Sequence, residues 1–319
     1  MSDTTKQTEL LREVRLALQN RDYPEAIKFL KLTAELAHDS GDIGAEGRHL
    51  GNLALIYYRL NQPDKALEHF KLALLKARED GDPATENGLL GNMGNILREL
   101  NRYEEAIDYL NQALVIAQEI GDVRGRGIWL GNLGLVHDDL KQPEKAAQFH
   151  AKSVGIAREL RDQRGLSSRL TNLGNSFVAI GDYVSAIQHF KEVVELQKQL
   201  GDQREVALRL GIIGNLYNEL GRNARSSADA TRYYAGAIEH YGQTLEIARE
   251  LEDVISEGQL LRSMGSVLAS LGRYEQSLEY LESAHQMFDV LGLDDERDQT
   301  TRLIKRVNAA LTRANESSS

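Results

Sequence analysis

The sequence predicts an all-α protein, a stack of about seven helix-turn-helix repeats closed by one further helix. Three observations carry this. A short phrase keeps returning: Leu50-Gly51-Asn52-Leu53-Ala54, Leu90-Gly91-Asn92-Met93-Gly94, Leu130-Gly131-Asn132-Leu133-Gly134, Leu170-Thr171-Asn172-Leu173-Gly174 and Leu210-Gly211-Ile212-Ile213-Gly214. The step from Gly94 to Gly134, Gly174 and Gly214 is 40 residues each time, and a fixed period of that size marks a stacked array of one supersecondary unit. Within a period, two apolar patterns of helical spacing alternate. Composition agrees, since 4 Pro and 6% aromatics suit helices better than a β-rich chain.

The elements follow in order. The first repeat, about 8–40, is degenerate: Val14 stands where later repeats have Gly, while Tyr23, Ala26 and Leu30 keep the second-helix pattern, as suits an end cap. Repeats follow at about 42–80, 82–120, 122–160, 162–200, 202–252 and 253–292. In the 82–120 repeat, Leu90, Met93, Gly94 and Leu97 share one face at i, i+3, i+4 and i+7, and Ala106, Leu110, Ala113 and Leu114 give the inner side of the next helix. Gly-Asp pairs punctuate the array at Gly41-Asp42, Gly81-Asp82, Gly121-Asp122 and Gly201-Asp202, with Arg161-Asp162 and Glu252-Asp253 as variants. The Gly allows a left-handed helix end and the Asp caps the helix that follows. Pro83 fits a first helical position, and Asp202 with Glu205 fits a capping box.

The sixth repeat is longer by an insertion near 223–233, which Ser226 or Ser227 would cap. It is expected to lengthen the second helix and to project from the rim. Leu303, Ile304, Val307, Ala310 and Leu311 then stripe a capping helix at about 295–313, with fraying from Asn315 to Ser319.

Charge and composition bound the function. The balance of 38 basic against 48 acidic residues, net −10, argues against a nucleic-acid partner. Zero Cys excludes disulfides and thiolate metal sites. There is no apolar signal core behind Met1 and no run long enough to span a bilayer, so a soluble cytoplasmic protein without membrane contact is expected.

The order small, aromatic, Ala, large apolar, small, as in Ala54, Tyr57, Ala66, Phe70 and Ala73, or Gly174, Phe177, Ala186 and Phe190, is similar to the tetratricopeptide repeat. The leading Trp and closing Pro of that repeat are replaced, and the period is longer than its usual 34. The longer form with Gly-Asn-Leu-Gly resembles Pins-type spindle-orientation adaptors and kinesin light chains. The resemblance implies a right-handed α-α superhelix, a tetratricopeptide solenoid, whose first helices line a concave groove. It also implies a non-enzymatic scaffold binding an extended peptide segment of a partner protein, with self-association through the solenoid ends also open. The other functional reading is a peptide- or ligand-sensing module resembling the repeat-containing response-regulator phosphatases; these need an N-terminal helical bundle, for which Met1 to Leu10 is too short. The carboxylate-clamp role of co-chaperone repeats is not expected, because Gly replaces the Lys it needs.

Two repeated residues need an account. Gly51, Gly91, Gly94, Gly131, Gly134, Gly174, Gly211, Gly214 and Gly265 fall inside predicted helices, each at ~0.5–1 kcal/mol relative to Ala. Close helix approach opposite Ala66, Ala106, Ala146, Ala186 and Ala237 is the expected compensation. Asn52, Asn92, Asn132 and Asn172 recur at one first-helix place, with Asn95, Asn175 and Asn215 a turn further on. Two readings are open: a grip on a partner's backbone, or an internal ladder between helices. The groove reading names Arg48, Asn52, Arg59, Asn92, Asn95, Arg98, Asn132, Asp139, Asn172, Asn175, Asn215 and Asn218, graded from basic to acidic. Enzyme motifs, metal-binding motifs and cofactor loops are missing. His69, His189 and His240 share a register with Tyr109 and Phe149, and His137 with Tyr57 and Phe177, which marks packing. Trp129 reads as inter-repeat packing.

Overall fold

The computed structural model describes residues 3–318, with side chains described from 7 to 316. Fifteen helices and no strand occur among the described residues. They form two compact units, Met1–Asp162 and Gln163–Ser319.

The first unit holds α1 (Asp3–Gln19), α2 (Tyr23–Asp39), α3 (Ile43–Arg59), α4 (Pro63–Asp80), α5 (Pro83–Glu99), α6 (Tyr103–Glu119), α7 (Val123–Asp139) and α8 (Pro143–Glu159). Consecutive helices pack as antiparallel hairpins, and the first helices also meet one another, α3 against α5 and α5 against α7. The second unit holds α9 (Gln163–Ile180), α10 (Tyr183–Leu200), α11 (Gln203–Arg222), α12 (Ser227–Glu250), α13 (Val254–Ser270), α14 (Tyr274–Val290) and α15 (Asp294–Ser318), again packed in sequence order.

The turns carry the local code. Gly81 ends α4 at φ +67°, and its neighbour Asp82 accepts from the Thr85 N–H at 3.0 Å and from the Thr85 hydroxyl at 2.5 Å. Those bonds, the hydroxyl's first, hold the Asp82 carboxyl below its ordinary range. Asp202 also caps, but the expected capping box is only half made. The Glu205 N–H donates to Asp202 at 3.1 Å, while the Glu205 carboxylate turns to Arg209 at 2.6 Å instead of reaching back.

The turn inside each hairpin is left-handed too, except in the α11–α12 hairpin that carries the insertion. Asn61 and Asn101 hold it at φ 56° and 58°, and Lys141 at 58°. Asn tolerates this region; a Lys Cβ meets a carbonyl there, at a cost of ~1–2 kcal/mol. Lys141→Gly is therefore expected to stabilise the protein by about 0.5–1 kcal/mol, after the extra unfolded-state freedom of Gly is subtracted. Denaturant unfolding reads this as a higher midpoint at unchanged slope.

The helical glycines are holes for partner side chains. A Cβ at Gly94 would stand 2.6 Å from Leu110 Cγ, one at Gly174 2.6 Å from the Phe190 ring, and one at Gly214 2.6 Å from the Tyr241 ring. The close approach expected opposite Ala is present at Ala106, and a larger residue shares it. The backbones do come together at the Ala, with Ala106 O 3.2 Å from the place a Gly94 Cβ would take. The large residue four places on leans back toward its own helix N-terminus and fills the space over that contact. Leu110 and Phe190 are completely buried as a result.

Three boundaries differ from expectation. α1 starts at Asp3 rather than Thr8. α15 continues to Ser318, past the fray expected from Asn315, since no Gly or Pro stops it; Ser319 lies outside the described residues. In α15, Val307 is buried and Leu303, Ile304, Ala310 and Leu311 are half-buried. The insertion lengthens both helices of its hairpin: α11 runs to Arg222 and α12 starts at Ser227, capped by Ser226. Its tip is exposed, but Tyr234 behind it is buried against Gly221, where a Cβ would lie 2.6 Å from the ring. No helix among the described residues is long and apolar enough to cross a membrane.

Candidate functional site

In the first unit, α3, α5 and α7 present one side of each first helix to a recess of roughly 180 Å³. Asn92, Asn95, Arg98 and Asn132 line it together with Leu55, Ile96 and Leu135. Two rungs tie neighbouring helices at its edge. The Tyr58 hydroxyl donates to Glu99 at 2.5 Å, and Arg98 Nη1 donates to Asp139 Oδ2 at 2.9 Å. Burial, and then the Glu99 bond, push the Tyr58 phenol up to about 12.

The donors inside the recess are not all used. Asn132 Nδ2 and Arg98 Nε are both buried, and neither has a protein acceptor within hydrogen-bond distance. An orphaned buried donor costs ~1–3 kcal/mol. Among the described residues, no side-chain hydrogen bond joins Asn52, Asn92, Asn132 or Asn172 to another of the four. The rungs are made by Tyr58–Glu99 and Arg98–Asp139.

Profiles of the tetratricopeptide repeat match residues 85–159, and, in a second form, residues 50–84 and 170–204. The chain carries tetratricopeptide repeats. Solved structures agree on the fold. The apo form of RapI superposes with a TM-score of 0.61 at 15% identity, covering 97% of this chain and 99% of that one. BtubC (BKLC) from P. vanneervenii gives 0.57 at 17% identity, with 79% and 93% covered. A kinesin light chain-like repeat protein from Podosopora anserina gives 0.53 at 15% identity, with 63% and 99% covered. A search of the curated proteins returns no match. The tetratricopeptide repeat is a protein-interaction module, and its stacked units create extended binding surfaces.

The remaining sequence-derived site residues are scattered. Arg48, Asn52 and Arg59 are exposed on α3, outside the recess. Asp139 is engaged by Arg98, so the expected basic-to-acidic gradient is partly consumed in cross-helix pairs. In the second unit, Asn172 and Asn218 are half-buried and Asn175 is exposed. Asn215 accepts from the Tyr241 hydroxyl at 2.6 Å and lines a separate cleft of about 570 Å³ with Leu208, Gly211, Ile212 and Leu260.

The sequence reading missed the apolar half of both sites. Leu55 and Leu135 share a register with Asn95, and Ile212 with Asn92, but following one repeated residue hides those that vary between repeats.

His69, His137, His189 and His240 are packing groups. Tyr57–His69, His137–Phe149, Phe177–His189 and Tyr217–His240 have ring centroids 4.9, 5.2, 5.4 and 5.2 Å apart, one pair per hairpin at the same place. His150 lies against Gly134 with Nε2 on Asp138 at 2.9 Å. Among the described residues no cluster of three or more His, Cys, Asp or Glu has metal-binding geometry. Trp129 is buried over Gly91, and its Nε1–H donates to Asn87 Oδ1 at 2.7 Å, while Asn87 donates to Asp122 at 3.1 Å.

Proposed function

We propose that this protein is a non-enzymatic scaffold whose first-helix surface binds an extended segment of a partner protein, with Asn92, Asn95, Arg98 and Asn132 as the grip. The carrying observation is the pair of buried, unpartnered donors, Asn132 Nδ2 and Arg98 Nε, in one recess. Both need an acceptor, and a main-chain carbonyl or a carboxylate supplies one. An Asn amide donates and accepts at once, which matches the alternating groups of an extended backbone. Packed helices are ~8–10 Å apart and an extended chain advances ~3.3 Å per residue, so Asn92 and Asn132 would meet it about every third residue. Leu55, Ile96 and Leu135 offer an apolar wall for a side chain between those points.

The test is a displayed library of random linear peptides, selected against the full chain. The best binder is then mapped by photo-cross-linking. Cross-links confined to α3, α5 and α7 are expected. A binder that cross-links instead to the second helices, α4 and α6, would overturn the reading.

A further inference from the structure

Of the glycines that recur at one first-helix register, Gly51 and Gly91 are covered by the next first helix, whereas a Cβ at Gly131 or Gly211 would meet only its own second helix. In the first unit, a Cβ at Gly51 would stand 3.9 Å from Ala73 of its own second helix and 3.0 Å from Leu89, which caps it from the next first helix. Gly91 is capped in the same way by the Trp129 ring. Gly211 of α11 holds the same register. Its floor residue, Thr244, is present at 3.8 Å from the place a Cβ would take, and no second neighbour comes within 4 Å there, the helix's own backbone aside. Leu260 of α13 holds the register of Leu89 and Trp129 yet stands away from Gly211 as a wall of the cleft. The hairpin between them is the one that the insertion lengthens.

We propose that this cleft between α11 and α13, floored by α12, is a binding pocket for the phenyl ring of a phenylalanine in a partner peptide, which takes the place Trp129 takes over Gly91. The volume of about 570 Å³ lies in the range of small-ligand sites. The lining explains the choice of ring. Leu208, Ile212, Ala248 and Leu260 surround the open glycine, and Leu208 is 53% exposed at the mouth, a large apolar side chain with little to cover it. The Trp129 indole has Asn87 as its acceptor, but Ala207 stands at that register on α11, so a ring without a polar tip fits here. Arg204 and Asp253 oppose each other at the rim, which leaves the mouth without net charge and suits an internal peptide segment. Asn215, Gln259 and Ser263 can meet the peptide's main chain. The proposal is independent of the recess in the first unit.

The experiment is a titration of the methyl-labelled full chain with N-acetyl-L-phenylalanine N-methylamide, followed by NMR. Millimolar binding is expected, with shifts on the methyls of Leu208, Ile212 and Leu260 and intermolecular NOEs from the ring to Thr244 and Leu260. N-acetylglycine N-methylamide should shift none of them. Gly211→Leu, whose side chain would occupy the cleft, should weaken binding by about tenfold or more while the melting temperature holds or rises. NOEs need no variant, so the proposal stays testable if Gly211→Leu fails to fold. Shifts and NOEs at Leu55, Ile96 and Leu135 instead, no shift up to the probe's solubility limit, or undiminished binding by folded Gly211→Leu would each overturn it.

Discussion

Gly91→Ala should destabilise the protein by about 2–3 kcal/mol, whereas the same change at Gly211 should stabilise it by about 0.5–1 kcal/mol. Both glycines sit at one register of a first helix, and Ala is the better helix former at each. What differs is the space outside. A Cβ at Gly91 would overlap the Trp129 ring, which is buried and tied by its N–H to Asn87. The ring cannot give way without leaving that bond, so overpacking outweighs the propensity gain. At Gly211 the added carbon makes one ordinary contact, 3.8 Å to Thr244. Trp129 is the only Trp in the chain, so its emission reports the first substitution directly. A red shift with an earlier unfolding transition is expected for Gly91→Ala, and neither for Gly211→Ala. Equal effects at both sites would contradict the packing account.

His49→Leu is expected to raise stability by about 1–3 kcal/mol. His49 is 7% exposed on α3, and neither ring nitrogen has a hydrogen-bond partner. Leu89 and Leu260 stand at the same register, so the site accommodates Leu. Burial lowers the His49 pKa below 6.5, and Arg48 lowers it further, while Asp42 partly offsets them. The sign follows from that direction. As pH falls from 6.5 toward the folded-state value, the unfolded chain takes up the proton and the folded chain does not, so the parent loses stability there. The Leu variant lacks that loss. Its advantage should therefore be larger at about pH 5 than at about pH 8 in urea unfolding. An advantage that shrinks as pH falls would refute the assignment of His49 as a buried neutral group.

Much of the fold was legible because it depends on short-range rules. The αL-then-Asp punctuation at Gly81-Asp82 and the stripe from Leu303 to Leu311 rest on local chemistry, and periodicity gave the faces. The interchange of His69, Tyr109 and Phe149 marks an aromatic packing place in the sequence itself. At Gly94 the contact with Ala106 was legible but its cover was not, because side chains lean: Ala106 marks where the backbones meet, and Leu110 covers it. The site was less legible for a related reason. Asn52, Asn92, Asn132 and Asn172 look equivalent along the chain, yet only Asn92 and Asn132 share a recess, since its walls come from residues that differ between repeats, Leu55, Asn95 and Leu135. Open space at Gly211 leaves no trace in the sequence either, because Leu260 stands where a capping residue belongs.

The central claim is that the Asn grip is held for a partner and not for the fold, and the double variant Asn92→Ala/Asn132→Ala tests it most directly. Thermal unfolding and affinity for the selected peptide should be measured side by side. Ala is the better helix former by ~0.6 kcal/mol per site, so the melting temperature should hold or rise. Affinity should fall by about 1–3 kcal/mol for two lost hydrogen bonds, roughly 5- to 150-fold. A destabilised variant whose folded fraction binds the peptide at full strength would contradict the account.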